Sequence, residues 1–93
     1  MNKYEVVYIL DTKLDDATKD ALIERFKGVV ESNGGAVEGV DKWGVKKLAY
    51  EINFKSEGFY VLMNFTADAV VPAELERQMR ITDGVMRFIV VKK

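Results

Sequence analysis

The chain contains neither cysteine nor histidine. Without cysteine there are no disulfide bonds, no thiolate nucleophiles and no thiolate metal sites. Without histidine the chain lacks the side chain that most often acts as general base or metal ligand near neutral pH. Any catalytic scheme would therefore depend on carboxylates, lysines and tyrosines alone, so an enzyme is the less favoured class before any motif is considered.

Long apolar runs are also missing. No window approaches the roughly 20 consecutive apolar residues of a membrane helix, and the N-terminus leads directly into a strand-like pattern instead of a secretory signal. We therefore expect a cytoplasmic protein without a membrane partner. With one proline and seven glycines, the 93 residues are 48% apolar and 31% charged, which predicts one folded domain covering residues 1–93.

The net charge of −1 does not by itself indicate a nucleic-acid-binding protein, but the charges are unevenly distributed. Residues 11–41 contain eight acids and four bases, whereas residues 77–93 contain five bases and one acid. This asymmetry is compatible with one acidic solvated face and one basic contact face. An ordinary scatter of surface charges explains it equally well.

Alternation of apolar and polar residues predicts four strands, at residues 3–10, 36–53, 59–65 and 85–91. The second segment is long for one strand, and Gly39 and Gly44 predict a bulge or bend within it. Residues 55–58 are predicted to form the turn between the second and third strands. The core side chains predicted for the second strand are Leu48, Tyr50 and Ile52.

Two segments have the spacing of amphipathic helices. Asp15 is predicted to cap the first helix, whose apolar stripe of Leu22, Phe26, Val29 and Val30 is followed by glycines at 34 and 35. Asp68 is predicted to cap the second, which runs to about residue 80. The order strand, helix, strand, strand, helix, strand predicts an α+β fold of the ferredoxin-like split βαβ type. Its four-stranded antiparallel sheet carries both helices on one face.

If both helices cover one face of the sheet, the other face is open. Alternation places six apolar side chains there, beside Glu5, Asn64 and Arg87. These six are Val7, Ile9, Tyr60, Leu62, Ile89 and Val91. A contiguous apolar patch larger than about 400 Å² on a small domain is typical of an interface, so we expect a partner on this face. Simple strand propensity of the aliphatic residues is the alternative.

RNA-recognition modules share this fold and stack bases on aromatic side chains of the first and third strands. Residues 7–9 and 57–65 resemble the two motifs of those modules in outline. However, Tyr8 and Phe59 are assigned to the covered face, Val61 occupies the second stacking position, and Tyr60 stands where a small residue is expected. The aliphatic open face therefore favours a protein partner over stacked bases.

The sequence contains no catalytic constellation. Asp15 and Asp16 are adjacent at a helix start, which is typical of capping. There is no glycine-rich phosphate loop, no serine paired with a base and no metal-spaced cluster. The arginine that small ferredoxin-like acyl-phosphate hydrolases require is missing between Leu10 and Asp15. We predict no enzymatic activity, no cofactor, no metal and no small-molecule substrate.

The segment Gly44-Val45-Lys46-Lys47-Leu48-Ala49-Tyr50-Glu51-Ile52-Asn53 resembles the signature of the bacterial small-subunit ribosomal protein six family. That signature is glycine, any residue, basic, polar, leucine, small, tyrosine, any residue, isoleucine, polar. The resemblance extends to Tyr4-Glu5, Gly34-Gly35, Gly58 and residues 80–87. It implies a non-catalytic ferredoxin-like protein that forms a heterodimer with ribosomal protein eighteen. It also implies binding to the central domain of small-subunit rRNA during ribosome assembly.

Basic residues are the candidate rRNA contacts, because Lys and Arg neutralise phosphates. The candidates are Arg80 and Arg87 first, then Lys3, Arg77, Lys92, Lys46 and Lys47. The candidate surface for the protein partner consists of Val7, Ile9, Trp43, Tyr60, Leu62, Ile89 and Val91. For each basic residue the alternative is a solvated surface charge, and for Trp43 it is packing over the strand bend. A stand-alone RNA-recognition-type module and a homo-oligomeric ferredoxin-like ligand-binding domain remain alternative functions.

Overall fold

The structure, a computed structural model, describes the backbone of residues 1–52 and 55–93 and the side chains of residues 1–48 and 56–93. The elements follow in the order β1 (Asn2–Leu10), α1 (Asp16–Ser32), β2 (Ala36–Ile52), β3 (Lys55–Ala67), α2 (Val70–Arg80) and β4 (Val85–Lys92). The strands form one antiparallel sheet in the order β2-β3-β1-β4. This confirms the predicted ferredoxin-like split βαβ fold.

The hydrophobic core lies between the two helices and one face of the sheet. The sheet contributes Tyr4, Val6, Tyr8, Leu10, Val61, Met63, Phe65 and Ala67, and the helices contribute Ile23, Phe26, Val30, Val71, Leu75 and Met79. The alternation predicted for β1 and β3 is therefore confirmed. In α1 the prediction needs one correction, because Ile23 is buried while Leu22 and Val29 are only half-buried at the margin of the core.

The two helices begin differently. The Asp15 carboxylate accepts a hydrogen bond of 2.7 Å from the Thr18 backbone N–H, so its predicted role as N-cap of α1 is confirmed. The predicted cap of α2 is wrong. Ala69 occupies the cap position without a side-chain hydrogen bond, and Asp68 contributes only its backbone carbonyl, which accepts from the Val71 N–H at 3.0 Å.

The long edge strand β2 carries two register shifts against β3 in its first half, one between Val37 and Gly39 and one between Lys42 and Gly44. Gly44 has a φ of 85°, a left-handed conformation that a side chain would disfavour. The bulges predicted from the two glycines are thus confirmed.

The turn predicted at residues 55–58 is wrong, because β3 already begins at Lys55 and Gly58 pairs with Lys46 inside the sheet. Gly58 is needed there for another reason: a Cβ at this position would overlap Ile9 Cγ2 and lie 3.4 Å from Leu48 Cδ2. Leu48 is buried as predicted, but over Gly58 beside Ile9 and outside the main core cluster. The side chains of Tyr50 and Ile52, predicted to join the core, lie outside the described residues.

Candidate protein and RNA contact surfaces

Strand register arranges the open face of the sheet in rows that cross β3, β1 and β4. The rows are Tyr60–Ile9–Arg87, Leu62–Val7–Ile89 and Asn64–Glu5–Val91. All of these side chains alternate with core residues of the same strands, so they share the face that the helices leave uncovered. The structure therefore brings together the apolar residues that the sequence assigned to this face.

Four aliphatic side chains form a continuous strip over three strands, which we call the aliphatic strip: Val7, Leu62, Ile89 and Val91. Ile89 and Val91 on the edge strand β4 are each 54% exposed, and Val7 and Leu62 are half-buried. Covering exposed aliphatic surface with a partner lowers the free energy of the system. The strip therefore fits a protein contact.

Ile9 departs from the prediction. It was assigned to the accessible partner surface, but it is only 8% exposed. The cause is Gly58, whose missing side chain lets Ile9 lie over the β3 backbone next to Leu48. Ile9 thus supports the open face from within and is not available for a partner.

The β2 side of the open face differs from the strip, and we call it the aromatic end: Trp43, Tyr60 and Lys46. The Trp43 and Tyr60 rings are nearly parallel, with an interplanar angle of 15° and centroids 6.5 Å apart. Lys46 Nζ lies over the Trp43 ring, 4.9 Å from its centroid. Trp43 sits in the bulge preceding Gly44, which pairs with Tyr60, so the bulge brings the two rings together. Trp43 still leaves 44% of its surface exposed.

The seven basic residues predicted to contact rRNA are all exposed, but they do not form one patch. By strand alternation Lys3, Lys46 and Arg87 belong to the open face, whereas Lys47 and Lys92 belong to the face that carries the helices. Arg77 and Arg80 lie on α2. The two strongest candidates, Arg80 and Arg87, consequently lie in different layers of the fold.

Arg77 is already engaged by a neighbouring carboxylate. Its Nε donates to Glu74 Oε2 at 3.0 Å and its Nη2 to Glu74 Oε1 at 2.7 Å, and Gln78 donates to the same carboxylate at 3.1 Å. The hydrogen bonds from Arg77, followed by that from Gln78, lower the pKa of Glu74 to about 2, and Glu74 raises the pKa of Arg77. A phosphate at Arg77 would have to compete with Glu74, which makes Arg77 a weaker candidate than Arg80.

Sequence reasoning missed Lys93 and underrated the aromatic end. Lys93 continues β4, donates its backbone N–H to the Lys3 carbonyl at 2.9 Å and places its Nζ 3.4 Å from Glu5 on the open face. Its position at the chain end offered no periodicity to read. For Trp43, the available signal was the glycine that follows it, since a bulge changes the direction of the preceding side chain.

Two negative findings apply to the described part of the chain. None of its helices is long and apolar enough to cross a membrane. Among the side chains of residues 1–48 and 56–93, no group of three or more potential metal-binding carboxylates was found.

Comparison with known proteins gives four findings that span almost the whole chain. Residues 3–92 match the family model described as Ribosomal protein S6. The small ribosomal subunit protein bS6 of Clostridium beijerinckii is 57% identical over 93 residues, covering 100% of this chain and 98% of that protein. The bS6 of Clostridium novyi is 57% identical over 91 residues, with coverages of 98% and 96%. The crystal structure of 30S ribosomal protein S6 from Thermotoga maritima matches with a TM-score of 0.93 at 29% identity, covering 99% of this chain and 87% of that one.

Proposed function

We propose, on the premise that the chain belongs to the ribosomal protein S6 family, that it binds the central domain of small-subunit rRNA together with ribosomal protein eighteen. Membership of this family makes the chain a structural, non-enzymatic component of the small ribosomal subunit, and hence a cytoplasmic protein. The family resemblance and the exclusion of catalysis are thereby confirmed. The rRNA region and the protein partner are the parts that we propose.

The observation that carries the proposal is the aliphatic strip with basic residues at both of its ends. At one end, Arg87 lies in the row adjacent to the row of Ile89. At the other end, Lys3 lies beyond Glu5 on the same face of β1. A protein that covers the strip would leave these cations at its border. The border would then offer phosphate contacts next to those of the partner, which explains why the two proteins would bind rRNA jointly.

The proposed rRNA contacts lie in two layers. Arg87, Lys3 and Lys46 line the open face, while Arg80 at the end of α2 lies on the other side of the sheet. Because Arg80 lies on the opposite side of the sheet from the other three cations, no single flat RNA surface reaches all four of them. We therefore propose that the rRNA contacts the domain at both edges of the sheet, through Arg87 at the β4 edge and through Lys46 at the β2 edge, with Lys47, Arg77 and Lys92 as secondary contacts.

The partner proposal is tested by mixing the chain with ribosomal protein eighteen and measuring the mass of the complex by light scattering. We expect a one-to-one heterodimer, and we expect the double variant Ile89→Ser and Val91→Ser to weaken it. Val70→Ser is the matched control, because Val70 is an exposed valine on α2, at 72% exposure, outside the open face. Absence of a heterodimer with the native chain would contradict the partner proposal.

The same measurement separates the alternatives. A homo-oligomeric ligand-binding domain would have a larger mass than one chain in the absence of any partner. A stand-alone RNA-recognition module would bind the central-domain rRNA fragment equally well with and without ribosomal protein eighteen. Joint binding predicts a clear gain in rRNA affinity when the partner is present.

A further inference from the structure

We infer that Trp43 and Tyr60 form a stacking site for one unpaired RNA base, and that Lys46 contacts the phosphate of the same nucleotide. This inference rests on the proposed function, since it takes RNA to be a partner of this chain. It goes beyond that function because phosphate contacts read no base, whereas a stacking site holds a base directly. It also revises the expectation that the open face is too aliphatic for base stacking.

The two rings are arranged as a preformed platform. They are nearly parallel at 15°, with centroids 6.5 Å apart, and they lie on the open face of the sheet. The bulge before Gly44 and the pairing of Gly44 with Tyr60 hold the rings at fixed positions on two neighbouring strands. Trp43 is 44% exposed and Tyr60 is half-buried, and accessible aromatic rings on a sheet are the surfaces on which proteins stack unpaired bases. Because the platform exists in the free protein, binding pays little ordering entropy.

In the absence of RNA, the side chain of Lys46 occupies one face of the platform. Its ammonium lies 4.9 Å from the Trp43 ring centroid, where the negative face of the ring attracts it. A stacking base would take this place. The displaced ammonium has three donors on a long flexible stem, so it remains able to reach the phosphate of the incoming nucleotide. One cation–ring contact is thus exchanged for one base–ring contact and one cation–phosphate contact.

The surroundings of the aromatic end favour RNA over a protein segment. The row of Tyr60 continues through Ile9 to Arg87, which lies two strand spacings away, or about 10 Å. Arg87 ends this row at the β4 edge, and Lys46 lies two residues beyond Gly44 on the same face of β2, opposite Gly58; both side chains are exposed cations. Asp41 lies in the next row, opposite Leu62, where the aliphatic strip begins. Aromatic rings between cations complement a base with its phosphates, whereas the strip complements a protein.

Trp43 is the only tryptophan of the chain, so its fluorescence reports from the proposed site without labelling. The full chain is titrated with an adenosine hexamer and with a uridine hexamer of RNA. We expect quenching of Trp43 emission by both, with tighter binding of the adenosine hexamer because purines offer the larger stacking area.

Variants are compared through the anisotropy of labelled hexamer, which does not require tryptophan. Trp43→Leu and Tyr60→Leu are each expected to weaken adenosine-hexamer binding by about 5- to 100-fold. Trp43→Phe keeps a ring and should retain most of the affinity. Lys46→Met removes one phosphate contact, so the slope of log affinity against log salt concentration should fall by about one. Val70→Ala, at an exposed aliphatic residue of α2 outside both the aromatic end and the aliphatic strip, is the matched control, and circular dichroism verifies that each variant is folded.

Three results would overturn the stacking site. The first is hexamer binding that leaves Trp43 emission unchanged and is equally tight in Trp43→Leu, since phosphate contacts alone would then explain it. The second is an emission change caused by ribosomal protein eighteen but by neither hexamer, which would assign the rings to the protein partner. The third is failure of both hexamers to bind. Binding of the central-domain rRNA fragment is measured separately on the same protein, so a failure of the proposed function would be recognised independently.

Discussion

Gly58 controls how the open face is built, and its replacement by alanine makes the sharpest stability prediction. A Cβ on Gly58 would overlap Ile9 Cγ2, and Ile9 is itself 8% exposed with Leu48 next to it. Isoleucine is stiff about its first torsion, so the methyl group cannot simply rotate away. Overpacking of this kind costs about 1–3 kcal/mol, and the smaller conformational freedom of unfolded alanine returns about 0.4–1 kcal/mol. We expect Gly58→Ala to lower the free energy of unfolding by about 1–2 kcal/mol.

Urea unfolding, monitored through the fluorescence of Trp43, measures this loss of stability. Gly39→Ala is the matched control, because Gly39 also lies in a strand, has no left-handed φ and has open space at its Cβ position. We expect Gly39→Ala to change stability little or to raise it. Ile9→Leu removes the branched methyl group at nearly constant volume, so the cost of Gly58→Ala should become smaller in that background. An equal cost for Gly58→Ala in both backgrounds would refute the packing explanation.

Three further predictions concern single side chains. Burial raises the pKa of Tyr8 and leaves its hydroxyl without a hydrogen-bond partner. Removing this hydroxyl in Tyr8→Phe should therefore raise the free energy of unfolding by about 1 kcal/mol, measured in urea titrations. A loss of that size would contradict the prediction. Asp15→Ala should lower the thermal midpoint more than Asp68→Ala, because only Asp15 caps a helix with its side chain, and equal effects would count against this assignment. In NMR titrations the Glu74 carboxyl should have a pKa near 2, and this pKa should rise in Arg77→Met. Because the folded state lowers this pKa, ionised Glu74 stabilises the fold above the ordinary pKa of a glutamate, and this stabilisation is lost as the pH falls towards 2. An unchanged Glu74 titration in Arg77→Met would exclude Arg77 as the cause.

Local periodicity was enough to predict the architecture, because a strand places every second side chain on the same face whatever lies beyond it. The covered residues of β1 and the apolar residues of the open face followed from this rule. The burial of Ile9 did not follow from this rule, because it depends on Gly58. Gly58 lies 49 positions further along the chain, in β3, where it pairs with β2. By local sequence alone, Gly58 after three polar residues is a turn signal, whereas tertiary packing gives it a place inside β3.

The candidate site shows the same division. Exposure of the basic residues was predictable from their type, but their distribution over two layers depends on where α2 ends and β4 begins. Arg80 and Arg87 both belong to residues 80–87, one of the stretches that carry the family resemblance, yet the fold places them on opposite sides of the sheet. The contact between Trp43 and Tyr60 required the bulge at Gly44, whose effect on side-chain direction follows from backbone geometry and not from sequence spacing.

The central claim is joint binding of rRNA through the basic residues, and one measurement tests it most directly. Binding of a central-domain rRNA fragment is measured over a range of salt concentrations, in the presence and absence of ribosomal protein eighteen, for the native chain and for the double variant Arg80→Ala and Arg87→Ala. We predict tighter binding with the partner, and for the double variant a weaker binding whose salt slope is reduced by up to about two units. Equal affinity and equal slope for the two chains in the presence of the partner would contradict the account.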